Sequence, residues 1–202
     1  MKLLHTLSLL LEETKPSFLD FQKGSGNYAG QELFDYVRKW EGDVYGNHIP
    51  YVYDDKRKWE GGKPVQYTGG TKYGTLTIGF GTTDPSIIKE YLNTDKEMTL
   101  STAQSLTIPD INEAARCIKS WQSRAKKGDK NKRLLTIGMY RAMIDIVYNI
   151  GCNAFIHSPT LIVDIEKGNY KKASATIKTG NWGHKERREA TSNLFCSSGG
   201  CI

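Results

Sequence analysis

Phe34-Asp35-Tyr36-Val37-Arg38-Lys39-Trp40-Glu41-Gly42, then Tyr53-Asp54-Asp55, then Thr77-Ile78-Gly79-Phe80-Gly81: these three stretches decide the fold. Through the first and the residue before it, Leu33, Phe34, Val37 and Trp40 recur at helical spacing, which predicts a short helix over 31–40 with one buried side. From 43 to 83 the chain turns to Tyr, Val, Thr and Gly among many turn residues, the pattern of a small antiparallel sheet with hairpins. Past Pro85 helical periodicity returns, over 85–92, 100–106, 110–127, 133–150, 158–166, 170–178 and 184–195. Asp110 reads as an N-cap with Glu113 as its capping-box partner, and Gly151 as the stop of the apolar helix before it. A helix, a small sheet, then many helices define an α+β chain.

At 202 residues the chain has room for one good-sized domain with an appended arm. The expected organisation is an amphipathic arm and Gly-rich linker over 1–30, a main domain over 31–195, and a Cys/Gly-rich tail over 196–202. Leu3, Leu4, Leu7, Leu10 and Leu11 share a helical face, but His5, Thr6 and Ser8 interrupt the run and no small-residue cleavage site precedes Glu12-Glu13. The run is also too short to span a bilayer, so the arm is expected to pack on the domain or dock on a partner. Gly24-Ser25-Gly26-Asn27-Tyr28-Ala29-Gly30 then reads as linker.

Hydrophobic residues at 38%, charged residues at 25% and a mean hydropathy of −0.51 describe a globular chain somewhat more polar than average. A net charge of +6 suggests an anionic partner such as a cell envelope. The basic groups are scattered, at Lys126, Lys127, Lys130, Lys132 and Arg133, at Lys171 and Lys172, and at Lys185, Arg187 and Arg188. That dispersion, with no reading motif, argues against nucleic acid. Four cysteines make no disulfide scaffold at this length and show no zinc-type spacing with His. Cys196 and Cys201 flank a loop short enough to close, but free thiols are the expectation.

Glu41 is the candidate acid. A carboxyl group at a helix end beside Trp40 is placed to be partly desolvated, which favours the protonated form that cleavage of a glycosidic bond needs. Asp55 is the candidate second carboxylate, with Asp54 its immediate rival; neighbours in an extended segment face opposite ways, so one of them faces a cleft. Thr77 offers a hydroxyl to hold water, and Gly79 and Gly81 allow close approach of backbone or substrate. Taken singly, each has an ordinary explanation: Glu41 as a surface glutamate before a helix-ending glycine, the Asp pair as turn residues, Thr77 as a strand residue.

In this order, Glu41-Gly42, Tyr53-Asp54-Asp55 and Thr77-Ile78-Gly79-Phe80-Gly81 resemble the phage-type lysozymes, the T4 lysozyme family of glycoside hydrolase family 24. The resemblance extends through Pro109 to Arg116, Asp145 to Gly151, and Arg187-Arg188-Glu189-Ala190 to Phe195, covering about 165 residues from 31 to 195. It implies a two-lobed lysozyme-like fold with a small sheet lobe and a larger helical lobe. The activity it implies is a muramidase acting on bacterial peptidoglycan, without cofactor or metal. Glu41 would be the acid, with Asp55 and Thr77 positioning water, Asp54 turned to solvent, and Tyr53, Gly79 and Gly81 in support. Arg187 would be the arginine that reaches the glutamate. Thr82 stands where the family commonly has His, and the intervals from Glu41 to Asp55 and from Asp55 to Thr77 are longer than usual. Residues 56–75, rich in glycines and aromatics, therefore read as an inserted hairpin that widens substrate contact or binds another protein. Two alternatives remain: a lytic transglycosylase using Glu41 alone, and a non-catalytic virion or wall-binding protein with virion partners. Expected locations are the host cytoplasm and then the wall, or the virion, with no stable membrane span.

Overall fold

The computed structural model describes residues 31–43, 45–57, 59–124 and 135–201. The arm and linker expected over 1–30 and the basic cluster from Lys126 to Arg133 lie outside the described residues. The chain is α+β, as its periodicities require. It divides into two compact units, one ending at Arg116 and one beginning at Cys117, with the boundary inside a long helix.

The first unit opens with α1 (Gln31–Glu41), which buries Leu33, Phe34 and Val37. Phe34 meets Phe80 edge to face, with ring centroids 5.6 Å apart. The helix stops because Gly42 must pass close to the next loop: a Cβ there would lie 2.3 Å from the Asn47 carbonyl oxygen. Buried Asp43 then accepts hydrogen bonds from the backbone N–H groups of Tyr45 and Asn47, both at 2.9 Å, and turns the chain into the sheet.

Strand β1 (Ile49–Asp54) pairs antiparallel with β4 (Leu76–Gly79), with Ile49 opposite Gly79, Tyr53 opposite Thr77 and Asp54 opposite Leu76. Between them in sequence, β2 (Trp59–Glu60) and β3 (Lys63–Pro64) form the hairpin expected over 56–75. Its two turn residues, Gly61 and Gly62, have φ of 57° and 79°, the positive pair that a tight two-residue hairpin demands. The hairpin is tied back onto β1 by the Tyr51 hydroxyl donating to the Pro64 carbonyl (2.8 Å) and the Tyr67 N–H donating to the Val52 carbonyl (2.8 Å).

Helix α2 (Pro85–Tyr91) starts on an Asp84 cap with proline at its first position. The next helix corrects the sequence reading: α3 runs unbroken from Leu100 to Ser123 with Pro109 inside it, so Asp110 is an exposed interior residue and not an N-cap. A proline inside a helix costs about 3 kcal/mol. The buried face formed by Ala103, Thr107, Ile111, Ala114, Ile118 and Trp121 continues through it at helical spacing and offsets that cost.

In the second unit α4 (Ile137–Ile150) begins on Thr136, whose hydroxyl oxygen accepts from the Met139 N–H at 3.2 Å, and ends on Gly151 at φ 80°. Then come α5 (Cys152–Ile156), a short helix not expected from the sequence, α6 (Pro159–Glu166), α7 (Tyr170–Thr179) and α8 (Lys185–Cys196). Helix α8 packs against both α4 and α7. Among the described residues no helix is long and apolar enough to cross a membrane.

The cysteines also correct the sequence reading. Cys117 is bonded to Cys152 and Cys196 to Cys201, and no cysteine is free. Helical wheel spacing hides this, because Cys117 sits on the buried face of α3 and only the turn at Gly151 brings Cys152 to it. A cross-link spanning 35 residues restricts the unfolded chain by about 3–4 kcal/mol. A Cys117→Ser/Cys152→Ser variant is therefore expected to melt roughly 10 °C below the native protein by circular dichroism; an unchanged Tm would contradict a stabilising bond.

Candidate active site

Tyr53, Thr77 and Asp55 share one face of the first unit's sheet. Antiparallel pairing sets Tyr53 and Thr77 directly opposite each other and so on the same face. The pairing continues one step past the strand end, where Asp55 N–H donates to the Thr75 carbonyl at 3.1 Å and Thr75 N–H donates to the Asp55 carboxylate at 2.7 Å. Asp55 thus stands on the Tyr53 side and is exposed.

Glu41 ends α1 and is half-buried. A Cβ added to Gly81, at φ 96°, would lie 3.6 Å from its Oε2, so the open glycine faces the glutamate. Gly79, at φ 71°, instead gives way to the core: a Cβ there would come within 2.9 Å of the Met98 sulfur. Its role is packing, whereas Gly81 borders the candidate acid.

Tyr53 links the carboxylates. Burial, then the charges of Glu41 and Asp55, push its phenol up to about 12. The phenol therefore remains neutral at any working pH, a polar group within the field of two acids. Thr77 is buried, and its hydroxyl donates to the Thr75 carbonyl at 3.1 Å. With that proton spent, the Thr77 oxygen is left as an acceptor.

Asp54 overturns one expectation. It was to face solvent, yet it is fully buried. Its carboxylate accepts from the backbone N–H groups of Tyr73 at 2.6 Å and Lys56 at 3.1 Å. The inserted loop folds back on β1 and needs an acceptor for its amides; Asp54 supplies it. Burial alone would raise its pKa. The N–H groups of Tyr73, Lys56 and Gly74, with the nearby charge of Arg57, outweigh that and hold it below the ordinary carboxylate range. Spacing missed this role, as it missed that of Asp43. The available signal was a doubled Asp followed by a long Gly- and aromatic-rich insertion.

Arg187 lies in α8 of the second unit, buried, with Nη2 donating to Asp145 at 2.6 Å. Thr191 donates to the other oxygen of Asp145 at 2.8 Å. Among the described residues, no group of three or more His, Cys, Asp or Glu side chains is arranged to hold a metal ion.

A helix and small antiparallel sheet followed by packed helices make an α+β protein of lysozyme-like fold. The sequence model of the family described as phage lysozyme matches residues 57–193, and the chain belongs to that family. The match includes Thr77, Gly81 and Arg187 and begins after Glu41, Tyr53 and Asp55. Solved structures share the fold. An endolysin from the Escherichia coli O157:H7 phage FAHEc1 is 18% identical, with 87% of this chain and 96% of that chain covered and a TM-score of 0.58. A variant of P22 lysozyme is 21% identical, covering 83% and 97%, with a TM-score of 0.55. The muramidase domain of SpmX from Asticaccaulis excentricus is 16% identical, covering 83% and 97%, with a TM-score of 0.54. No curated protein sequence matches the chain.

Because the folded-state pKa of Asp54 is depressed, the stability it contributes is present above the ordinary carboxylate pKa of about 4 and is lost as pH falls through the lower folded value. Thermal melts should show native protein more stable than Asp54→Asn at pH 7, with the gap closing below about pH 4. A gap that stays constant down to pH 2 would contradict an ionised, hydrogen-bonded Asp54.

Proposed function

We propose that this protein is a muramidase of the T4 lysozyme type, hydrolysing the β-1,4 bond between N-acetylmuramic acid and N-acetylglucosamine in peptidoglycan. The observation that carries the reading is the position of Tyr53, under the charge of both Glu41 and Asp55 and directly across from Thr77. Two carboxyl groups whose charge reaches Tyr53 and a threonine paired across from it support this reading, and the chain belongs to a lysozyme family.

In the proposed reaction Glu41 gives its proton to the glycosidic oxygen as the bond from the anomeric carbon breaks. A water on the opposite sugar face, hydrogen-bonded to the Thr77 oxygen, attacks that carbon and passes a proton to Asp55. Attack from the opposite face inverts the anomeric configuration. Gly81 keeps the space beside Glu41 open for the sugar. The biological role we assign is degradation of the host wall by a phage-encoded enzyme, at lysis or from the particle.

Release of soluble fragments from purified peptidoglycan should fall by about 10²–10⁴ in Glu41→Gln, the usual contribution of a general acid. The native products should be hydrated reducing-end muropeptides by mass spectrometry. Fragments lighter by one water would instead establish transglycosylation, and release undiminished in Glu41→Gln would remove Glu41 from the chemistry.

A further inference from the structure

The insertion builds an aromatic shelf beside Asp55 that the proposed reaction does not use. Arg57 Nη2 donates to the carbonyls of Thr71 (2.9 Å) and Gly69 (3.5 Å), and its guanidinium lies over the ring of Tyr67 at 5.0 Å and that of Tyr73 at 5.8 Å. The Tyr67 hydroxyl donates to the Gly70 carbonyl at 2.7 Å. Tyr73 is fixed twice, by Arg57 against its ring and by its N–H on buried Asp54. The residue is nevertheless 65% exposed.

A side chain ordered at such length and left open to solvent has lost freedom that its own fold does not repay. The loss is recovered when a flat apolar partner covers the ring, since a preordered surface binds at lower entropic cost. The C–H face of a pyranose ring is such a partner, and it meets the negative face of an aromatic ring favourably. Continuity selects the ligand: two residues beyond Tyr73, the Thr75 N–H holds the Asp55 carboxylate. A glycan strand seated at Asp55 therefore has the Tyr73 ring within its course, and the Arg57 cation suits the carboxylates that peptidoglycan strands carry.

We propose that Tyr73, braced by Arg57, is a glycan subsite that stacks on an N-acetylhexosamine unit of the strand beyond the cleaved bond. This rests on the muramidase reading for the ligand's identity, but its test reads binding, not turnover. The measurements are pelleting with purified sacculi and titration with chitohexaose, a peptide-free oligomer of N-acetylglucosamine, each in the Glu41→Gln background to prevent digestion. Tyr73→Ala should weaken both by about tenfold, the loss of one aromatic contact, while Tyr73→Phe retains native binding. Matched thermal melts of the Ala variant and its parent check that the loop is intact; Arg57→Ala, which removes the brace and keeps the ring, should weaken both ligands to a lesser degree.

Equal binding by Tyr73→Ala and its parent would overturn the subsite. So would weakening toward sacculi alone, which would assign the ring to the stem peptides. If native protein binds both ligands through Tyr73 but releases no fragments from sacculi, the hydrolytic reading fails and the subsite stands. If it releases fragments while Tyr73→Ala binds normally, the reverse holds.

Discussion

The buried carboxylate of Asp54 is the constraint on which the candidate site depends. The inserted segment between Asp55 and Thr77 has to leave β1, form its own hairpin and return in register with β4. Its returning amides meet two adjacent carboxylates: buried Asp54 accepts from Tyr73 and Gly74, and exposed Asp55 accepts from Thr75. Once Tyr73 and Gly74 are held there, Thr75 falls opposite Asp55, and the next two steps set Leu76 opposite Asp54 and Thr77 opposite Tyr53. Gly74 is forced by the same contact, since a Cβ there would lie 2.8 Å from an Asp54 oxygen and closer still to Asp55. The register of two short strands, and with it the face shared by Tyr53, Asp55 and Thr77, thus starts from one buried ionised group and is continued by the Asp55–Thr75 pair beside it.

The second unit is organised on a similar principle. Asp145, fully buried in the apolar helix α4, accepts from Arg187 and Thr191, both on α8. Removing one partner of such a pair leaves a buried charge uncompensated and typically costs about 3–5 kcal/mol. The pair therefore fixes how α8 sits on α4, assisted by the Ser174 and Ser192 hydroxyls, 2.7 Å apart, between α7 and α8. Each unit thus carries a buried, hydrogen-bonded carboxylate where two of its segments meet.

The α+β class and most helices were legible because they rest on periodicity, which a single sequence displays directly. The hairpin was legible from its paired glycines. Pro109 misled because a local helix breaker says nothing about the apolar stripe that runs past it. The disulfides were hidden because Cys117 and Cys152 meet only through the packing of elements 35 residues apart. Asp54 was read backwards for a related reason: alternation along a strand says that it faces away from Asp55, but not whether that other side is water or protein. Glu41, Asp55 and Thr77 could be singled out only because a family pattern joined three ordinary residues. The electrostatic link through Tyr53 required the folded sheet.

The most direct test of this account is amide hydrogen exchange at Tyr73 and Thr75, followed residue by residue in native protein and in Asp54→Ala. If Asp54 sets the register, both amides are protected in the native protein. Both lose protection in the variant, while Ile78, bonded to Thr82 within its own turn, keeps it. Exchange of Tyr73 and Thr75 at unstructured rates in the native protein, or protection that survives in Asp54→Ala, would contradict it.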